Sequence, residues 1–465
     1  MKHAWEINRE ILLNTVPEVQ HNVSGAWEEQ LPDFAAVDIA DVRMKCKSRV
    51  PGSLAQERVL VGGIQAVGNM GYDVSEAEAM IPAFFDAYDN NDNIALLQMV
   101  PKIYETLGRA PKIEGHPYWS FTQYDSFEQY EKNVTFPKYD IPKFDDKILF
   151  EKLHAAWLAQ IAGAAVGTMI EGYCTDRLRE HFGEIRGYLR EPSTLNDDVL
   201  FELAFLEAFA DKGYDVTSED IAMNWLGKIE FAWSAEEVAM KNLKRGVFPP
   251  KSASLNNPWR EWIGAQMRGA ICGLVAPGDP YTAARLAWID GCISHVNNGI
   301  IGEIFNAVMT SLAFVETDIR TIVEKSIEMI PVDSEYYSVV KFALDECKKH
   351  NTWEPAWRAC EEKLYKYNWI HSYPNAASEV VSLWFARNDF DECMHICAMC
   401  GQDVDCNAAQ IATLYGVIWG YDAISESWTK PFDDKFESVY RGFEDTTITR
   451  IAKLTFDSIK KHMVL

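Results

Sequence analysis

From Asp145 onward the chain repeats one pattern: apolar residues three and four apart, in runs several helical turns long. KILFEKLHAAWLAQIAGAAVGTMI, DDVLFELAFLEAFA, YTAARLAWIDGCIS, GIIGEIFNAVMTSLAFV and AAQIATLYGVIWG all show it. Such spacing lines one side of a helix with core-facing residues, whereas a half-buried strand needs strict alternation, which is scarce here. Of the 465 residues, 48% are apolar, enough to bury a sizeable core. The fold class is therefore all-α, a compact multi-helix domain over 145–465 rather than a simple four-helix bundle. No fixed-period repeat or low-complexity tract is evident.

Upstream, residues 1–107 form a mostly helical accessory region. Ser75 and Glu78 make a capping-box pattern opening SEAEAMIPAFFDAY, and Ser53 precedes another helix-like run through Val67. Residues 108–144 differ. Pro111, Pro117, Pro137 and Pro142 break any long helix, while Tyr118, Trp119, Phe121, Tyr124, Phe127 and Tyr130 are too apolar for a disordered tether. This connector is expected to be irregular and packed on the domain that follows.

With 44 basic against 69 acidic residues, the net charge is −25. A surface so acidic repels phosphate backbones and anionic lipid, which argues against nucleic-acid or membrane partners. The first residues, MKHAWEINREILLNTVPEV, lack the pattern of a secretory signal, and no apolar stretch is long enough to span a bilayer. Ten scattered cysteines do not form a disulfide framework. A reducing, cytoplasmic location is the expectation.

Two acidic motifs stand at turns entering helices. Asn196-Asp197-Asp198 follows the Pro192-Ser193-Thr194 break; Asp403-Val404-Asp405-Cys406-Asn407 follows Gly401-Gln402. Capping explains each alone, since Asn and Asp favour helix starts and acidic first turns complement the helix dipole. Adjacent carboxylates at an exposed turn also suit a hard divalent cation. A calcium EF-hand is excluded, because Ala408 and Leu414 stand where that loop needs Gly and Glu.

Cys393, Cys397 and Cys400 have the spacing of iron–sulfur cysteines, yet FDECMHICAMCG reads as a buried helix ending at Gly401 in which Cys is a small hydrophobe. Glu171, after the small-residue run GAAVGTMI, is either solvated or catalytic. His295 and His371 fit structural roles as well as functional ones. Arg268 could bind phosphate or pair with a carboxylate.

In order and type these motifs resemble those of the ADP-ribosylglycohydrolase family, in a bacterial branch. The family pattern runs from a G-D-A-L-G helix followed by Glu, through T-D-D-T and a Ser-His helix start, to G-G-D-T-D-T/C-N-A-A before a glycine-rich helix. Here GAAVGTMIE at 163–171, NDDV at 196–199, SHVNNG at 294–299 and GQDVDCNAA at 401–409 take those places. Residues 249–280 resemble the family's substrate-loop region. The resemblance covers residues 145–425; Ala164 replaces the first-helix aspartate, and Asn196 replaces the usual threonine.

The resemblance implies hydrolysis of an N- or O-glycosidic bond to ADP-ribose, on a protein or a small molecule, with one or two Mg²⁺ or Mn²⁺ ions. Carried over, Asn196, Asp197, Asp198, Asp403, Asp405 and Cys406 face the metal, although a thiol is a poor partner for a hard ion. Glu171, Asp198 and Asp403 are the implied catalytic residues. Ser294, His295, Asn297, Asn298, Gly299, Arg268 and His371 are the implied substrate contacts, with backbone N–H groups near Asn297 and Gly299 receiving phosphates. The alternative is a non-catalytic relative acting as a ligand-binding or regulatory module, since this fold also serves as a lens crystallin.

Overall fold

A computed structural model describes residues 2–17, 27–140 and 143–463, with side chains of the Trp27–Cys46 helix given from Ala35 onward. Met1, Glu18, Val19 and Pro142 lie outside the described residues. Two helices form its centre, Asp146–Gly167 and Val404–Trp419, each buried over most of its circumference. A helix apolar all round can only sit inside a layer of others. Their closeness is set by glycine: a Cβ on Gly167 would lie 2.0 Å from the Asp405 backbone nitrogen. Gly167→Val would force the two backbones apart, a strain of about 1–3 kcal/mol.

Onto this pair pack helices Asn298–Leu312, Ser372–Ala386, Phe390–Cys400 and Ile448–His462, with Pro280–Gly291 lying on Asn298–Leu312 and Asp198–Lys212 on Ile448–His462. The strands among the described residues are two or three residues long and pair antiparallel: Ser48–Arg49 with Gln56–Glu57, Tyr173–Cys174 with Gly401–Gln402, and Lys435–Glu437 with Asp445–Thr447. The chain is all-α, as the spacing predicts. Cys393, Cys397 and Cys400 are fully buried on a helix ending at Gly401, in the left-handed conformation at φ 71°. Among the described residues no helix is long and apolar enough to cross a membrane.

Two helix starts differ from expectation. Ser75 is the first helical residue rather than the cap; Asp73 Oδ1 accepts its N–H at 3.0 Å. That helix stops at Glu78 and the chain resumes as Ile81–Asp89, with Pro82 in its first turn. Proline lacks the N–H an unbroken helix would need there. Ser53 starts no helix either: its hydroxyl accepts Ala55 N–H at 3.2 Å in the turn between two short strands, and the helix begins at Val59.

The aromatic segment is irregular and packed. Tyr118, Tyr124 and Tyr130 are buried, and their hydroxyls donate to Glu261 Oε1 (2.7 Å), Asp333 Oδ1 (2.6 Å) and the Met329 carbonyl (2.5 Å). Burying a tyrosine ring requires such a partner for its O–H. Further upstream, Trp259 Nε1 donates to the Val59 carbonyl at 3.0 Å and Lys45 meets Glu237 at 2.9 Å.

Candidate active site

The short strand pair Tyr173–Cys174 and Gly401–Gln402 joins the end of one central helix to the start of the other, and Gly172 N–H donates to the Gln402 carbonyl at 2.8 Å. Glu171 therefore stands beside Asp403 and Asp405. The Asn196–Asp198 turn closes the cluster: Asn196 Nδ2 donates to Asp405 Oδ2 at 3.1 Å, and the Cys406 thiol, 208 positions away in sequence, donates to Asp198 Oδ1 at 3.1 Å. Asp198 is fully buried, Asp403, Asp405, Cys406 and Glu171 nearly so, whereas Asp197 reaches solvent.

Capping does not account for these aspartates. Asp197 and Asp403 occupy cap positions, but neither side chain accepts a capping hydrogen bond. Asn196 Oδ1 takes the Asp198 N–H at 2.8 Å, and Asn375 Oδ1 takes the Asp403 N–H at 3.0 Å. Asp198 Oδ2 and Asp405 Oδ1 are buried without a hydrogen-bond partner.

Burial first, and then mutual repulsion, raises these acids. Glu171, Asp198 and Asp403 are held well above the ordinary carboxylate range, with Asp405's charge the next cause for each. Asp405 is itself raised by burial, and the surrounding protein with Asp405 lifts Asp197 to about 6. Burial and the neighbouring aspartates likewise raise the Cys406 thiol. Such a cluster calls for positive charge. Donor atoms of Asp403, Asp405 and Cys406 lie within 4.8 Å of one another. The Asp403 and Asp405 carboxylates at this spacing, with Asp405 Oδ1 partnerless, fit a divalent cation; the Cys406 sulfur is the soft exception in a hard donor set.

The other residues expected to contact substrate have internal partners. Arg268 is buried against Asp290, Glu236 Oε1 (2.9 Å), the Gly264 carbonyl (2.5 Å) and Ser294 Oγ (3.0 Å), with Trp225 4.9 Å from its guanidinium. These contacts take four of its five N–H groups, and its enclosure in the core leaves no room for a phosphate. Ser294 also meets His295 Nδ1 at 2.8 Å, and burial keeps His295 well below its usual range, with its Nε2 unpartnered. Asn297 takes the Tyr124 N–H at 2.9 Å and gives its amide to Gln123 and Glu261; Asn298 donates to Glu261 Oε2 at 3.2 Å. Gly299 is buried against the Arg260 carbonyl. Asn297 thus holds the aromatic segment in place, and the Gly299 N–H is taken by the Val296 carbonyl at 3.0 Å. His371 caps the Ser372–Ala386 helix through Nδ1, accepting Tyr373 N–H at 3.2 Å. Of residues 249–280, expected as a substrate loop, the stretch 257–276 runs through the core.

Two contributors escaped the sequence. Asn375 fixes both Asp403 and Asn407, whose amide reaches Asn375 Oδ1 at 2.7 Å; the HSYPNAA motif drew attention for its histidine, four residues too early. Glu236 accepts from Arg268 at 2.9 Å and so helps to hold that guanidinium, and nothing in SAEEVAM marks it. A surface cavity of about 750 Å³ lined by Asp318, Arg387, Asp389 and Asp422 contains none of the expected site residues.

The site is a mostly buried acidic cluster where two helix starts meet in an all-helical domain, and comparison supplies the family. The ADP-ribosylglycohydrolase family model matches residues 145–461, so the chain belongs to that family, and its function is of the glycohydrolase type. Among solved structures, a chain described as "ADP-ribosylglycohydrolase-related protein complex" is similar at 18% identity and a TM-score of 0.47, covering 68% of this chain and 100% of its own. None of the curated proteins compared with the chain matches it.

Proposed function

We propose that the chain hydrolyses a glycosidic bond to ribose in an ADP-ribosylated or related substrate, dependent on Mg²⁺ or Mn²⁺ held by Asp197, Asp198, Asp403 and Asp405. One observation carries this. Two acidic turns far apart in sequence converge with buried carboxylate oxygens that nothing in the protein satisfies. The charges acting most strongly on them are one another's.

A divalent ion there would supply hard coordination for ribose hydroxyls and make a bound water more acidic. The chain's own residues do the rest. Asn196 donates its amide to Asp405 and accepts the Asp198 N–H, and Asn375 accepts the Asp403 N–H, which fixes the two turns that carry the carboxylates. Breaking the ribosyl bond develops positive charge at C1, which the surrounding carboxylates favour. Glu171, nearly buried at the edge of the cluster, is the proton carrier for the leaving atom and for the entering water. The open side at Asn196 and Asp197 admits the substrate.

The test is release of free ADP-ribose from arginine-linked, serine-linked and small-molecule ADP-ribosyl substrates, with Mn²⁺ and after chelation. Metal-dependent release from at least one is expected; its absence from all would end the proposal. Glu171→Gln should retain Mn²⁺ affinity while lowering kcat by about 10²–10⁴-fold, the usual range for a lost acid–base group. A variant that turns over normally removes Glu171 from the chemistry.

A further inference from the structure

Glu171 is braced on two sides. On one side lies the strand pair with Gly401–Gln402. On the other lies a turn from the far N-terminal part of the chain, outside the 145–461 match: residues 50–55, between the short strands Ser48–Arg49 and Gln56–Glu57. This turn touches the Glu171 segment before and after the glutamate. Gly52, at φ +93°, packs so closely on Thr168 that a Cβ there would lie 2.6 Å from the Thr168 carbonyl oxygen. Gly172 is equally close to Ala55, where a Cβ would come within 2.7 Å of the alanine's own. Tyr173 donates its hydroxyl to the Ser53 carbonyl at 3.0 Å, and Arg190 reaches the Gly52 carbonyl at 3.3 Å.

The turn is itself rigid. Val50 N–H donates to the Ala55 carbonyl and Leu54 N–H to the Val50 carbonyl, each at 2.9 Å. Leu54 is held at φ 61°, a conformation a bulky side chain adopts only when its surroundings impose it. The base of the hairpin is pinned by Glu57, which accepts Trp233 Nε1 at 3.0 Å and Ser48 Oγ at 3.1 Å. Trp233 precedes the helix that carries Glu236. The hairpin thus spans two segments of the family domain, one bearing Glu171 and the other leading to Glu236.

We propose that the 50–55 turn is a positioning element for Glu171, so that turnover by the family domain depends on a segment outside it. Gly52 and Tyr173 are the positioning residues; neither reaches the acidic cluster. The proposal rests on the role given to Glu171 above. A displacement of the order of 1 Å at a proton-transfer group costs up to roughly 10²-fold in rate while leaving binding largely intact.

The test uses the full chain and three variants. Gly52→Ala adds a Cβ against Thr168, Tyr173→Phe deletes only the hydroxyl that holds Ser53, and Gln65→Ala removes a separate contact between the same regions, Gln65 Nε2 to the Lys366 carbonyl at 2.7 Å. Four quantities are read: kcat, KM, Mn²⁺ affinity, and hydrogen exchange at the Gly172 and Tyr173 amides. Gly52→Ala should lower kcat about tenfold or more, and Tyr173→Phe about threefold, with KM and Mn²⁺ affinity nearly unchanged and exchange accelerated at both amides. Gln65→Ala should change none of these. If Gly52→Ala does not fold, Tyr173→Phe alone decides. Parental kcat in a folded Tyr173→Phe, or a loss of kcat equalled in Gln65→Ala, overturns the proposal. If the parent cleaves no ribosylated substrate, the functional reading has failed and exchange alone decides. Faster exchange then upholds the bracing of Glu171, and parental exchange overturns it.

Discussion

Two groups of buried acids lie near each other in this protein and are treated in opposite ways. Around Arg268, Glu236 and Asp290 share a guanidinium that is itself fully enclosed. Around Asp405, Asp198, Asp403 and Glu171 have only one another, an amide and a thiol. A protein can bury carboxylates stably when it brings the counter-charge with it. The first group does so from its own sequence with Arg268; the second has no Lys or Arg paired with it among the described residues, and this marks it as the place where an external cation belongs. The difference also sorts residues that look alike in the sequence. Arg268 balances structure, whereas the side chains of the aspartates at the two helix starts, Asp197 and Asp403, make no capping hydrogen bond.

Breaking the balanced group should cost most. Arg268→Met strands Glu236 and Asp290 in the core, so urea denaturation should show a loss of about 3–5 kcal/mol. A loss below 1 kcal/mol would mean that the arginine does not offset those charges.

A smaller effect comes from an acid that borders both groups. Glu202 accepts amides from Gln160 (2.7 Å) and Gln410 (3.0 Å) through one oxygen, the other is unpartnered, and burial pushes its pKa up to about 8. The folded state therefore keeps a proton that the unfolded chain releases near the ordinary value. Its contribution to stability is present at low pH and is lost as pH rises toward 8. Glu202→Gln should remove that loss, so its stability relative to the parent should rise by about 1–2 kcal/mol between pH 6 and pH 8. Parallel stability curves for the two proteins would contradict this.

The smallest effect distinguishes the groups by sign. Without added metal, Asp403→Asn removes a repelling charge, and thermal unfolding should show a gain of roughly 1 kcal/mol rather than a loss. A clear destabilisation would make Asp403 a structural residue like those around Arg268.

Much of this was legible before the fold. The 3.6-residue spacing gave the central helices, since a pattern sustained over several turns has few other uses. Helix starts were less legible. Ser75–Glu78 satisfies a capping pattern in sequence, but Pro82 interrupts the helix and Asp73 takes the N–H. The acidic motifs were visible as types and positions, yet caps and ligands share the same residues. Only the absence of a capping hydrogen bond from Asp197 and Asp403 separates the two roles. Asn375 and Glu236 went unseen because each sits within an ordinary helical run and gains its role from segments far along the chain. Asn297 and Asn298 were misplaced for the converse reason: a polar turn before a helix looks open in sequence, and the aromatic segment that closes it comes from 170 residues earlier in the chain.

The central claim is that the Asp405 group takes its counter-charge from outside. Isothermal titration of Mn²⁺ into the metal-free full chain and into Asp403→Asn tests it most directly. Saturable binding of one or two ions by the parent, with affinity in the variant weakened by about 100-fold, a loss near 2.7 kcal/mol, is the expected result. Equal affinity in the two proteins, or no binding by the parent, would contradict it.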